Sequence, residues 1–273
     1  MKPAPFAYIC PETRDAALTA LAEFGDDAIV LAGGLSLGAM LNMRLVFGKT
    51  VIDINQIADL GGIERVGEML QTGTLVRQAD ALASGAVAES IPLLRMGLLN
   101  VGHYQTRSRG TLGGSVAHAD PSAEIPLCLA TLGGEVELAS LREVRHVPAR
   151  GFADAALSTV RDPDEMITAL HWPIHTRAGI AFQEITERHG DFAIVAVAAV
   201  VRSGLEFSLG FGGVEGTPRI LDGVLDGPIE EIVAIYVDEL DAMEDPRASA
   251  EYRIAVAKHL GAETLRQALG ETS

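Results

Sequence analysis

The sequence predicts an α+β fold in two parts, residues 1–175 and residues 176–273, and three observations carry that expectation. Hydrophobic residues make up 48% of the chain but aromatics only 5%, so the core must be built mainly from Ala, Val, Leu and Ile, as in mixed α/β proteins. A short apolar run, a double glycine and a helix start follow one another at 28–43. Near 173–179 the signals change: Trp172-Pro173 closes a strand, 174–179 reads as a linker, and a small antiparallel sheet plus helices is expected beyond it. A chain of 273 residues is long enough for two domains with a sizeable core.

Taken in order, Thr13 is a plausible cap for a helix over 13–24, with Leu18, Leu21 and Phe24 at helical spacing and Gly25 as the stop. Ala28 to Ala32 reads as a buried strand, Gly33-Gly34 as a turn, and Ser36 onward as a helix. Val51 to Ile54 is a second strand, 62–66 and 69–72 have short β character, and 76–99 is largely helical with breaks at Gly85 and Pro92. Ala123 to Leu132 reads as a helix, Glu135 to Leu138 as a strand, and Val144 to Val147 as its hairpin partner. The second part begins with strands at Ile180 to Ile185, Phe192 to Val201 and Leu205 to Phe211. It ends in helices near 228–241 and 246–269, the last started by Asp245 as cap and Pro246 at the first helical position. No internal repeat or low-complexity tract is visible.

Charge narrows the function. Lys and Arg number 21 against 37 Asp and Glu, a formal net charge of −16, which repels nucleic acid and anionic membranes. No apolar signal core begins the chain and no run long enough to span a bilayer occurs, so a cytoplasmic location is expected. Cys10 and Cys128 are too few for an iron–sulfur cluster or a closed zinc site from this chain alone and read as unpaired thiols.

Two glycine-rich segments carry the chemistry: Ala32-Gly33-Gly34-Leu35-Ser36-Leu37 and Thr111-Leu112-Gly113-Gly114-Ser115-Val116-Ala117-His118-Ala119-Asp120-Pro121. Each sets paired glycines beside a hydroxyl residue, so that bare backbone N–H groups can close on an anion. Two such segments suggest a diphosphate held from both sides by amides, without a lysine clamp. The spacing of Gly33, Gly34 and Gly38 does not match the Rossmann G-x-G-x-x-G, and no Gly-Lys-Ser/Thr is present. His118 and Asp120 form an H-x-D pair that lacks further metal ligands nearby, and Asp120 before Pro121 reads as a loop-stabilising residue. His103, His171 and His259 have no nucleophile or carboxylate at a recognisable spacing.

The run from Arg107 to Pro126 resembles the second FAD motif, T-I-G-G-N-x-A-H-A-D-P-x-x-D/E-x-P, of the FAD-binding medium subunits of molybdenum hydroxylases, with Leu112 in place of Ile and Ser115 in place of Asn. That family includes carbon monoxide, xanthine and aldehyde or N-heterocycle dehydrogenases. Ala32 to Leu37 with Met43-Arg44-Leu45 is similar to its first motif, Val51 to Ile54 to its V-D-I/L strand, and Arg188 to Ala193 and Gly212-Gly213-Val214 extend the likeness over nearly the whole chain. The resemblance implies a two-lobed FAD-binding domain of the PCMH type over 1–175, with the flavin between the lobes, and a CO-dehydrogenase-flavoprotein-like domain over 176–273. It implies FAD contacts from Ala32, Gly33, Gly34, Leu35, Ser36, Leu37, Val101, Thr111, Leu112, Gly113, Gly114, Ser115 and Glu124. Gln183 falls where some relatives carry a lysine near the flavin.

The resemblance further implies a division of labour. A large subunit oxidises substrate at molybdopterin, a small subunit relays electrons through two 2Fe-2S clusters, and this chain's FAD hands them to an external acceptor, in a dimer of heterotrimers. The absence of a general acid, base or nucleophile constellation fits an electron-transfer unit. A free-standing flavin oxidase and a non-catalytic nucleotide-binding protein are the alternatives.

Overall fold

The computed structural model describes residues 2–270. The first lobe holds β1 (Ala7–Ile9), α1 (Arg14–Phe24), β2 (Ala28–Leu31), α2 (Leu35–Asn42) and β3 (Thr50–Asp53). Its three strands run parallel in the order β1-β3-β2. Thr13 caps α1 through its hydroxyl, which accepts from the Ala16 N–H, and Leu18 and Leu21 are buried against Ile52 and Ile54.

The second lobe begins with β4 (Ile63–Val66) and β5 (Met69–Gly73). Six short helices follow: α3 (Gln78–Ala83), α4 (Gly85–Ser90), α5 (Pro92–Asn100), α6 (Tyr104–Arg109), α7 (Leu112–His118) and α8 (Glu124–Leu132). Then come β6 (Glu135–Ala139), β7 (Val144–Pro148), the small hairpin β8 (Ala153–Ala155) and β9 (Ser158–Thr159), and β10 (Met166–Pro173). Five of these strands form an antiparallel sheet, β4-β5-β10-β6-β7. One face of it, with Leu70, Val136, Leu138, Leu170 and Trp172, packs on the helices.

The last part is an antiparallel meander of β11 (Gly179–Ile185), β12 (Val195–Val201), β13 (Glu206–Gly212) and β14 (Arg219–Val224), followed by α9 (Ile229–Val237) and α10 (Ala250–Leu269). Side chains alternate across β12. Ala196, Ala198 and Val200 enter the core that holds Leu94, Leu127 and Leu129 of α5 and α8, while Val195, Val197, Ala199 and Val201 enter the core that holds Leu260 and Leu265 of α10.

Two expectations need correction. The last helix starts at Ser249, whose hydroxyl accepts from the Tyr252 N–H, and not at Asp245-Pro246. Asp245 instead closes a turn by accepting from the Arg247 and Ala248 N–H groups and pairs at 2.8 Å with the buried Arg253 guanidinium. That guanidinium also donates to the carbonyls of Ile194 and Gly213 at 2.5 and 2.6 Å, locking α10 to the meander. Strands β1 and β14 were not expected from the sequence; each is short or half-exposed and lies at a sheet edge.

Candidate functional site

The two glycine segments face each other. Gly33 lies so close to the second segment that a Cβ there would sit 2.5 Å from the Arg109 carbonyl oxygen and 3.0 Å from the Gly110 Cα. A Cβ on Gly114 would in turn lie 3.9 Å from that of Ala32. Gly34 takes the left-handed conformation, φ 77°, as the cap of α2, so the chain turns sharply off β2 and begins the helix at once. The first-turn amides of Leu35, Ser36 and Leu37 have no acceptor inside a helix and carry the positive end of its dipole.

A polar network sets the spacing between the lobes. Arg77 donates to the Arg109 carbonyl at 2.5 Å and to Asn55 Oδ1 at 2.6 Å, and Asn55 Nδ2 donates to the Ala32 carbonyl at 2.8 Å. One guanidinium and one amide therefore tie both glycine segments together. Asp53 accepts from Asn55 and from the Tyr8 hydroxyl, at 2.6 Å for the latter. Burial alone would raise the Asp53 carboxyl, but the Tyr8 and Asn55 hydrogen bonds and the Arg109 charge hold it below its usual value, so it stays ionised beside the cleft.

The second segment works differently from the first. Its amides are already engaged: Leu112 donates to the Val76 carbonyl at 2.9 Å, Gly113 to that of Thr74 at 3.1 Å, Gly114 to Thr111 Oγ1 at 3.0 Å and Ser115 to the Thr111 carbonyl at 3.2 Å. The expectation that Leu112, Gly113, Gly114 and Ser115 offer free N–H groups is therefore corrected. Thr111 caps α7 and takes the Gly114 and Ser115 donors, while the short β-bridge of residues 110–112 with 76–78 takes that of Leu112. Here glycine provides closeness, since a Cβ on Gly113 would collide with Thr74 and one on Gly114 would lie 2.6 Å from Thr111 Oγ1. The result is a cradle with donors on one wall and tight backbone on the other.

Val101 ends α5 and is almost fully buried. Glu124 opens α8, where Gly97 lets α5 approach: a Cβ on Gly97 would stand 3.5 Å from the Glu124 Cβ. Burial first, then the charges of Glu184 and Asp120, push the Glu124 carboxyl up to about 8. Glu184, on β11, is raised to about 7 by burial, and its Oε2 has no hydrogen-bond partner. Gln183 is placed elsewhere. It turns to the opposite face of β11 and donates to Gln267 of α10 at 3.0 Å, while its neighbour Glu184 occupies the Glu124 side.

Asp120 is a loop residue, with Oδ1 accepting from the Ser122 N–H at 2.8 Å. The β11–β12 loop closes over the end of α5, for a Cβ on Gly190 would lie 2.7 Å from the His103 ring. What the sequence did not single out is the bracing pair Asn55 and Arg77, and Glu184.

These features fit a dinucleotide that carries a diphosphate: a helix-start cradle, a wall too close for side chains, and unpartnered buried oxygens of Gln78, beside Gly110, and of Glu184 able to accept from ligand hydroxyls. The class defined by fold and site is a two-lobed nucleotide-cofactor binder with an appended meander domain.

The chain belongs to the family described as the FAD binding domain in molybdopterin dehydrogenase, whose model matches residues 4–175. Over its length it is 32% identical to the 6-hydroxypseudooxynicotine dehydrogenase complex subunit alpha of Paenarthrobacter nicotinovorans, covering 98% of this chain and 96% of that one. It is also 32% identical to the carbon monoxide dehydrogenase medium chain of Afipia carboxidovorans, covering 94% of each. Its fold matches a chain of a Cu,Mo-CO dehydrogenase crystal structure with a TM-score of 0.94 at 30% identity, and a chain of quinoline 2-oxidoreductase from Pseudomonas putida 86 with 0.90 at 30%, both over the full length of each chain. The chain is thus the FAD-binding, medium-type component of a molybdenum-containing oxidoreductase, which disfavours a free-standing flavin oxidase.

Proposed function

We propose that this chain holds one FAD across the seam of its first two lobes and relays electrons from the 2Fe-2S clusters of a small partner to an external acceptor, while a large partner oxidises substrate at molybdopterin. The observation that carries the reading is the approach of Gly33 to Arg109–Gly110, which brings the two motifs to one point. The amides of Leu35, Ser36 and Leu37 bind the diphosphate, Thr111 and the glycines behind it shape the opposite wall, and Val101 and Glu124 line the seam beyond. FAD, once bound, supplies the redox chemistry; these residues bind and orient it. Arg77 and Asn55 act as positioning residues that keep the lobes at binding distance.

Assembly as a dimer of heterotrimers in the cytoplasm belongs to the same proposal. Among the described residues no helix is long and apolar enough to cross a membrane. Copurification of the chain from its own host, followed by molybdenum, iron and flavin analysis of the isolated complex, tests the reading. One FAD per copy of this chain, with a large molybdenum protein and a small iron–sulfur protein in equal amounts, is expected. A colourless chain purifying without partners, or turnover of a small molecule by the chain alone, would overturn it.

A further inference from the structure

The outer face of the second-lobe sheet carries a side-chain cluster that the flavin site does not use. Glu137 of β6 faces His146 of β7 across one strand boundary and approaches His171 of β10 across the other. His171 Nε2 stands 3.2 Å from Glu137 Oε2, His146 Nε2 stands 3.9 Å from the same oxygen, and one ligand atom from each residue lies within 4.8 Å of the others. Tetrahedral zinc with bonds of about 2.1 Å sets neighbouring ligand atoms roughly 3.4 Å apart. The Glu137–His171 edge has nearly that length, closing the second edge takes a movement of about half an ångström by the half-exposed His146 ring, and the His146–His171 edge, within 4.8 Å, closes with it.

The supporting shell is also in place. Glu137 Oε1 accepts from the Thr168 hydroxyl, and Thr168 sits at the irregularity where β10 shifts register against β6. His146 Nδ1 lies 3.3 Å from Glu135 Oε2, which leaves Nε2 as its ligand atom and orients the ring as a carboxylate behind a metal-bound histidine does. Two imidazoles and one carboxylate suit zinc and similar borderline divalent ions. Behind the cluster, Trp172 and Leu170 make a rigid, buried backing.

We propose that Glu137, His146 and His171 form a divalent transition-metal site, with zinc as its reference ion, that staples β7, β6 and β10 on the face turned away from the flavin. The ion takes the place of the hydrogen between His171 Nε2 and Glu137, the ring carrying its N–H on Nδ1 instead, and leaves one coordination position to water. The site is independent of the flavin reading.

The test is isothermal titration of Zn2+ into the full-length, tag-free, chelator-stripped chain, repeated with Co2+ and visible spectroscopy. The wild type is expected to take up one equivalent and to give a ligand-field spectrum with Co2+. Glu135→Gln should weaken Zn2+ binding about 10- to 100-fold, and His146→Ala by more than tenfold, while His118→Ala should bind as the wild type does. Wild-type protein without one-to-one uptake, or a His146→Ala variant and a Glu135→Gln variant that both keep wild-type affinity, would overturn the proposal.

Discussion

Replacing Gly33 by Ala adds a single carbon at the narrowest point between the lobes. Its Cβ would lie 2.5 Å from the Arg109 carbonyl oxygen, whereas ordinary contact begins at 3.4 Å, so the lobes must part by about 0.9 Å. Both obstacles, the carbonyl and the Gly110 Cα, are main chain and cannot swing aside. The free protein relieves the clash by spreading; binding one FAD to both lobes restores the native spacing and meets the clash again. Overpacking of this kind costs about 1–3 kcal/mol. At about 1.4 kcal/mol per factor of ten, the FAD dissociation constant should rise roughly 5- to 150-fold. Titration of the apoprotein with FAD, followed by flavin fluorescence, measures this directly. Gly38→Ala is the internal control: it lies on α2 five residues on, with nothing within 4 Å of its Cβ, and should leave FAD affinity alone while stabilising the helix by about 0.5–1 kcal/mol. Wild-type FAD affinity in Gly33→Ala would refute the view that lobe spacing controls binding.

Three further outcomes are expected. Gly114→Val displaces Thr111 Oγ1 from its cap bond, costs about 1 kcal/mol of stability and empties the flavin site; full flavin stoichiometry in the purified variant would contradict this. Glu124 and Glu184 have folded-state values near 8 and 7, above the unfolded value of 4.5, so the stability they contribute in flavin-free protein is complete below about pH 4.5 and is lost as pH rises through 7 to 8. Glu124→Gln should flatten that fall, as read from thermal midpoints across pH 5–9; an unchanged slope would rule Glu124 out as its source. Arg253→Met leaves the Ile194 and Gly213 carbonyls and Asp245 without their buried cation and should cost about 3–5 kcal/mol in denaturant unfolding, with a loss below 1 kcal/mol counting against the lock between α10 and the meander.

The glycine pairs were legible because main-chain closeness leaves a mark that no other residue can make. Thr13, Gly85 and Pro92 likewise mark helix boundaries that the structure keeps. Asn55 and Arg77 were not legible: each is an ordinary polar residue, and their meaning lies in contacts 22 and 32 positions away. Glu184 was not legible either, for a subtler reason. On β11 both faces are covered, so Phe182 and Ala181 are buried alike, and alternation gives no clue to which side meets the helices of the second lobe. The final helix misled through Asp245-Pro246, a start signal used instead for a turn that carries the carboxylate to Arg253.

Strand β12 has no side facing water, and this shapes how the polypeptide answers to being cut. A protease nick within 174–178 would break the chain without releasing either piece, because Ala196, Ala198 and Val200 remain seated on α8 and β11 remains against α5. Expressed separately, residues 1–175 and 176–273 would each present a greasy strip and clump. Produced in the same cell, they should mate and rebuild a complete yellow protein.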